Sequence, residues 1–226
     1  MRTKMSLLVL TAVFFISGCG MTSSYKIKEP KKEEVIKIEV PKQKLRVGEK
    51  FTYKAEWMGV DVGFATLMVE EITEINGREV YHITAKAQTA SFVAKLFKVE
   101  DEISTYIDTE KLYPVRFDKK QKEGKHEKDE YVDFDQEKGR AVYFSRLTHE
   151  KKEFSVPKGV QDPVSCIYYF RLSNIKQGEA LFANVHLDDK NWFLETRAAD
   201  MGIVKINNVG SWQAFMAQPM SWFQGE

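Results

Sequence analysis

Between Gly48 and Glu71, two short segments alternate apolar and polar residues on either side of a glycine-marked reversal, which is the pattern of an antiparallel hairpin. Phe51, Tyr53, Ala55 and Trp57 fall on one side of the first segment, with Thr52, Lys54, Glu56 and Met58 on the other. Ala65, Leu67 and Val69 make the apolar row of the return segment. The reversal is expected over the stretch from Gly59 to Gly63, because its two glycines can adopt the positive φ that a sharp turn needs. The rest of the chain reads as further hairpins added to this one.

The first nineteen residues carry an address. Arg2 and Lys4 form a positive start and Met5 to Ile16 an apolar core, followed by Ile16-Ser17-Gly18-Cys19, which resembles a bacterial lipobox. The apolar run is shorter than the ~20 residues of a spanning helix. The expectation is a signal peptide over 1–18, lipidation at Cys19, and a membrane anchor there; an ordinary signal peptide with a cysteine at its cleavage site is the alternative. Gly20 follows the cysteine where an inner-membrane address would favour aspartate, so an outer-membrane site facing the periplasm is expected over an inner one. Residues 19–44 then read as the lipidated cysteine with a charged, flexible tether interrupted by Pro30 and Pro41, and 45–226 as a β-rich domain.

Charge narrows the function classes. The chain holds 34 basic and 33 acidic residues, and this balance argues against a nucleic-acid partner, since counterion release needs a one-signed basic surface. Of its two cysteines, only Cys166 would remain as a free thiol beside a lipidated Cys19, so no internal disulfide is expected.

Further strands are expected from Glu79 to Thr89 after the Asn76-Gly77 turn, from Lys98 to Ile107, from Val115 to Lys122, and from His126 to Phe134 paired with Arg140 to Ser145. These middle strands are so charged that they read as half solvated. Ser91 to Phe97 is a loop or a helical turn. One helix is expected from Asp162, as N-cap before Pro163, to Leu172. Strands then follow over Glu179 to Leu187, Trp192 to Ala198 and Met201 to Asn207, with a turn from Asp188 to Asn191. The uncharged stretch from Val209 to Phe223 reads as a docking segment, or as a sign that later strands are missing.

Residues 48 to about 198 are similar to a family of exported bacterial proteins known as domain of unknown function 3108. The resemblance is carried by Gly48-Glu49-Lys50-Phe51-Thr52-Tyr53 with Trp57, Gly59 and Gly63; by Tyr106-Ile107-Asp108 with Leu112-Tyr113-Pro114-Val115-Arg116-Phe117; by Tyr131-Val132-Asp133-Phe134-Asp135; and by Asp162-Pro163-Val164-Ser165 before Tyr168-Tyr169-Phe170-Arg171. It implies an antiparallel β architecture and no established activity. More loosely, a curved antiparallel sheet or open β-barrel, a β-meander with one packed helix, looks like the periplasmic lipoprotein carriers. That likeness is one of topology alone.

Candidate chemistry is sparse. His126 to Glu130 and His149 to Glu153 each spell His-Glu-x-x-Glu, which lacks the second histidine of a zinc protease, so no metal or cofactor is expected. Asp133, Asp135, Glu137 and Gly139 read as an acidic turn, Cys166 as a buried small hydrophobe, and His82 and His186 as strand histidines, on the surface or satisfied in the core. Phe51, Tyr53, Trp57, Leu67, Tyr81, Ile83, Phe92, Phe97, Leu181 and Val185 are expected to fill the inside of the sheet beneath the helix. If sheet and helix leave a cleft, Phe51, Tyr53, Trp57, Leu67, Tyr81, Ile83, Phe97 and Tyr168 would line it for an acyl chain. The expected function is non-enzymatic: an envelope lipoprotein binding an apolar ligand or another envelope component. A scaffold subunit of an envelope complex, or an enzyme acting on envelope glycan or lipid, are the alternatives.

Overall fold

The structure, a computed structural model, describes residues 44–206 and 210–223. The expected signal segment, Cys19 and the tether through residue 43 lie outside the described residues. The described chain divides into two compact units: one holds 44–174, Ala183–Leu194 and 221–223, the other Ile175–Phe182 and Glu195–Met220.

In the first unit, eight strands follow one another in sequence and in space: β1 (Lys50–Trp57), β2 (Val60–Ile75), β3 (Arg78–Thr89), β4 (Glu100–Asp108), β5 (Pro114–Glu123), β6 (His126–Asp135), β7 (Arg140–Ser145) and β8 (Lys151–Ser155). Each pairs antiparallel with the next, as the expected meander requires, and the sheet is not closed into a barrel. The strand β8 was not foreseen.

The first reversal is tighter than its glycines suggested. It consists of Met58 and Gly59 alone, with φ of 50° and 78°, which is the positive-φ pair of a two-residue hairpin turn. Asp61 already pairs with Glu56, and Val62 is skipped before Gly63 meets Ala55, so the second glycine sits beside a bulge inside β2. Its role there is close approach, because a Cβ on Gly63 would stand 2.9 Å from the backbone oxygen of Gln88 on β3. Asn76-Gly77 makes the second such turn, as expected. Within the β3–β4 connection, Val93–Lys95 forms one 3-10 turn.

The inner face of this sheet is a set of cross-strand rows. One runs Val69, Ile83, Thr105, Phe117, Val132, Tyr143, Lys152 from β2 to β8. Its neighbour runs Phe51, Leu67, Ala85, Ile103, Lys119, Glu130, Ser145 from β1 to β7. Both are mostly apolar up to β4; the second gains charge from β5 onward and the first only at β8. The helix α1 (Ser165–Leu172) packs on the apolar part, with Val164, Tyr168 and Leu172 in one cluster with Leu67, Val69, Tyr81, Ile83 and Ile107. Each such buried side chain contributes roughly 1.5–3 kcal/mol.

Two polar devices fix α1. Asp162 caps it, since its Oδ1 accepts the N–H groups of Val164 and Ser165, both at 2.7 Å, while Ser165 Oγ accepts the N–H of Asp162 at 2.8 Å. The cap residue is the expected one, and the regular helix begins three residues after it. Arg171 grips Glu49 through both guanidinium nitrogens, at 2.6 and 2.7 Å, and lies 4.9 Å over the ring of Phe51.

After α1 come β9 (Ala180–Leu187), β10 (Lys190–Ile206) and β11 (Gly210–Phe223), a three-stranded sheet with β10 in the middle. Two strands expected over 192–207 form the single β10, whose expected last residue, Asn207, lies outside the described residues. The uncharged segment expected to dock is itself a strand, β11, from Gly210 onward; its expected first residue, Val209, also lies outside the described residues. In the second unit, Gly178 and Glu179 bond the backbone of Ala198 at 2.7 and 2.9 Å.

Candidate functional site

The residues expected to line a cleft fall into three groups. Leu67, Tyr81, Ile83 and Tyr168 are buried in the core cluster, and Phe51 and Tyr53 are half-buried against it. Trp57 and Phe97, expected inside, stand 69% and 53% exposed, as does Phe92 at 54%. The reason is positional: β1 is an edge strand whose last residues run past the core, and Phe92 and Phe97 belong to the β3–β4 connection. Val185 is buried as expected, in the first unit, and Leu181 is half-buried in the second.

A cavity of about 340 Å³ lies elsewhere, in the charged half of the inner face. Phe117, Val132 and Phe134 supply an apolar wall, and Lys119, Glu130, Tyr143 and Lys152 project from the same face of β5 to β8. The other wall is the tip of the β9–β10 hairpin, with His186, Leu187, Asp188 and Asp189. The backbone holds this tip in place: Gln161 donates to the oxygen of Asn184 at 2.7 Å, and His186 donates to that of Gln161 at 2.8 Å. Asp188 and Asp189 form its two-residue turn, with φ of 46° and 61°.

Ion pairs join the tip to the sheet. Lys119 Nζ lies 2.8 Å from Glu130 Oε1 and 2.9 Å from Asp188 Oδ1; Lys128 reaches the same oxygen at 3.2 Å, and Lys152 reaches Asp189 at 3.1 Å. Tyr143 donates to Glu130 at 3.0 Å. Burial is the largest influence on Lys119 and opposes its charge, yet the hydrogen bond to Glu130 and the field of Asp188 outweigh it and hold the pKa above the ordinary lysine value. Burial likewise acts to raise Asp188, and Lys119 and Lys128 more than reverse it, leaving its pKa below the usual carboxylate value.

His186 is 4% exposed, its ring edge-on to Phe134 and tilted against Phe154. Asn191 donates from Nδ2 to the oxygen of Ser155 at 2.9 Å, which turns its Oδ1 toward His186 Nδ1, also at 2.9 Å. Nδ1 therefore carries the proton, and Nε2 is the bare nitrogen, buried and without a hydrogen-bond partner among the described residues. Burial pushes the pKa of His186 down, against the smaller opposing effects of Asn191, Asp189 and Asp188, so the ring is held neutral. Cys166 is buried in α1 as expected, and burial pushes its thiol pKa up.

Of the cavity residues, the sequence singled out only His186, as a strand histidine, and Glu130, as the end of a rejected metal string; neither was read as part of a cavity. One signal was present: Lys119 shares its parity with Phe117, and Glu130 with Val132 and Phe134, so charge occupies the face that apolar residues mark as inward.

Among known families, DUF3108, described as "Protein of unknown function", matches residues 52–219. No curated protein and no solved structure matches the chain. With a match over 52–219 of its 226 residues, the chain belongs to the DUF3108 family of proteins of unknown function.

Proposed function

We propose that the protein is an envelope lipoprotein, anchored through Cys19, that holds a small amphiphile in the cavity beneath the β9–β10 hairpin. The observation that carries this reading is the cavity itself. At about 340 Å³ it falls within the roughly 300–1,000 Å³ of small-molecule sites, and it sets an aromatic wall against paired lysines and carboxylates. The apolar part of the ligand lies on Phe117, Val132 and Phe134, and an anionic group lies by Lys128 and Lys152. Those two lysines are solvent-accessible and pair with Asp188 and Asp189. Such pairs are worth about 0–1 kcal/mol, so a ligand anion replaces the aspartates at small cost. The buried Lys119–Glu130 pair stays in place as a fixed dipole. The lipobox and tether supply the envelope address, and the ligand differs from the one first expected by needing a charged head.

Native mass spectrometry of the full chain, extracted in detergent from bacterial envelopes, tests this. The expected result is a bound small molecule, lost in Lys152→Glu and retained in Lys138→Glu, an exposed lysine that does not line the cavity. A ligand-free wild-type protein overturns the reading.

A further inference from the structure

The large apolar side chains that stay exposed are not scattered over the sheet. Of eleven among the described residues, seven lie in two short stretches: Trp57, Met58, Val60 and Phe64, then Phe92, Leu96 and Phe97. The fold brings these stretches to one end of the eight-stranded sheet. Ala90 donates to the oxygen of Val62 at 2.9 Å, and Gly63 is the register partner of Thr89, so the β3–β4 connection lies against the base of the β1–β2 turn. The β5–β6 turn joins them, because Gly124 donates to the oxygen of Lys98 at 2.8 Å and a Cβ on Gly124 would sit 3.0 Å from the ring of Phe97. Three neighbouring loop tips thus form one apolar end, where Met58 and Leu96 are 83% and 91% exposed. Exposure on that scale is what a soluble surface normally avoids.

The charge around this end selects the partner. The connection from Ala90 to Lys98 carries Lys95 and Lys98 and no acid, and Lys125 stands on the adjoining turn. Lys95 and Lys125 make no ion pair among the described residues; of the nearby acids, Glu56 and Asp61 are paired with Lys54, Glu100 is paired with Lys98, Glu123 accepts from Gln121, and Glu127 stands two residues from Lys125. Apolar and aromatic tips rimmed by unneutralised lysines match an acyl boundary below anionic phosphates. A flat protein surface would instead meet projecting tips at isolated points.

We propose that this end of the sheet inserts into an anionic lipid surface, with Trp57, Met58, Leu96 and Phe97 entering the headgroup–acyl boundary and Lys95 and Lys125 facing phosphates. This contact is separate from the Cys19 anchor and from the cavity. It lays a defined end of the domain on the membrane, where an anchor alone would leave the domain free to turn.

The test uses the full chain reconstituted into phosphatidylethanolamine/phosphatidylglycerol vesicles with and without dibrominated acyl chains, which quench only tryptophans that reach them. The expected result is a quenched component of the emission that disappears in Trp57→Phe. It should fall several-fold in Leu96→Glu, a change at a surface position with no packing to lose, and in the Lys95→Glu/Lys125→Glu pair when anionic lipid is present. Bromolipid that leaves Trp57 unquenched overturns the proposal, as does a quenched component that persists in Trp57→Phe. A stable dimer with Trp57 shielded from lipid assigns the surface to a second copy and overturns it equally.

Discussion

The two halves of the inner face solve the same problem differently. Over β1 to β4 the sheet is covered by a helix, and aliphatic and aromatic side chains fill the contact. Over β5 to β8 it is covered by a hairpin tip, and ion pairs bridge the two. The contrast is clearest in two aspartates. Asp162, wholly buried at the start of α1 and bonded to Thr105 and two backbone N–H groups, has no cation beside it among the described residues, and burial raises its pKa to about 6. Asp188, half-exposed between two lysines, is displaced the other way. The lesson is that the apolar half gains stability from exclusion of water and the charged half from exact pairing, so the first is rigid and the second can exchange partners.

The comparison breaks most sharply in the core rows. Ile83→Ala, at a position with no exposure, is expected to cost about 3–4 kcal/mol in chemical denaturation, because neighbours anchored on two strands and a helix cannot collapse into the gap. Glu130→Gln removes one partner of Lys119 and leaves Asp188 as the other, so about 2 kcal/mol is expected. Replacing both, as Lys119→Met with Glu130→Leu, should restore most of that loss, since an apolar pair of similar volume needs no compensation. Recovery in the double variant would mark the pair as retained for the cavity and not for stability.

Asp162 gives a pH signature of comparable size. A folded pKa near 6 against an ordinary 3.8 means that the folded state holds the proton more tightly. The stabilisation is complete below about pH 4 and is lost as pH rises through 6, an amount of about 3 kcal/mol. Asp162→Asn should remove that fall between pH 4 and 6, read as the difference between denaturation curves of the two proteins. Asp188 runs the opposite way: its contribution is present above the usual carboxylate range and is lost as the solution is acidified through its lowered pKa.

The smallest effect sharpens the contrast most. Asp188→Asn should change global stability by less than about 1 kcal/mol, because that carboxylate is 55% exposed and screened. Local opening should nonetheless increase, with faster hydrogen exchange at Ala183 to Leu194 and none at Ile83 or Ile107. Equal acceleration at both places would mean that the halves open together and that the partition into rigid and exchangeable regions is wrong.

Much of this architecture was legible beforehand because its causes are local. Period-2 alternation marked β1 to β3 and β6 to β7, Asn76-Gly77 placed a turn, and Asp162-Pro163 placed the cap of α1. The first turn was misread because Gly59 and Gly63 look alike in sequence and differ in use: one has positive φ, the other lies where β3 crowds the backbone. The cavity was illegible for another reason. Lys119, Glu130 and Lys152 sit in strands so charged that solvation was the natural reading, and the hairpin that buries Lys119 arrives some seventy residues later.

By itself, then, the sequence determined most of the strands, though not β8 or the full length of β10, together with the cap, the helix and the family, since each depends on neighbours within a few residues or on motifs in fixed order. Only tertiary structure decided which charged residues are buried, which nitrogen of His186 carries the proton, and which apolar side chains remain outside. Burial is set by whatever segment folds over a residue, and for β5 to β8 that segment is the distant β9–β10 tip. For Trp57 and Leu96 no described segment covers them, and the same hydrophobicity that builds a core elsewhere becomes a surface.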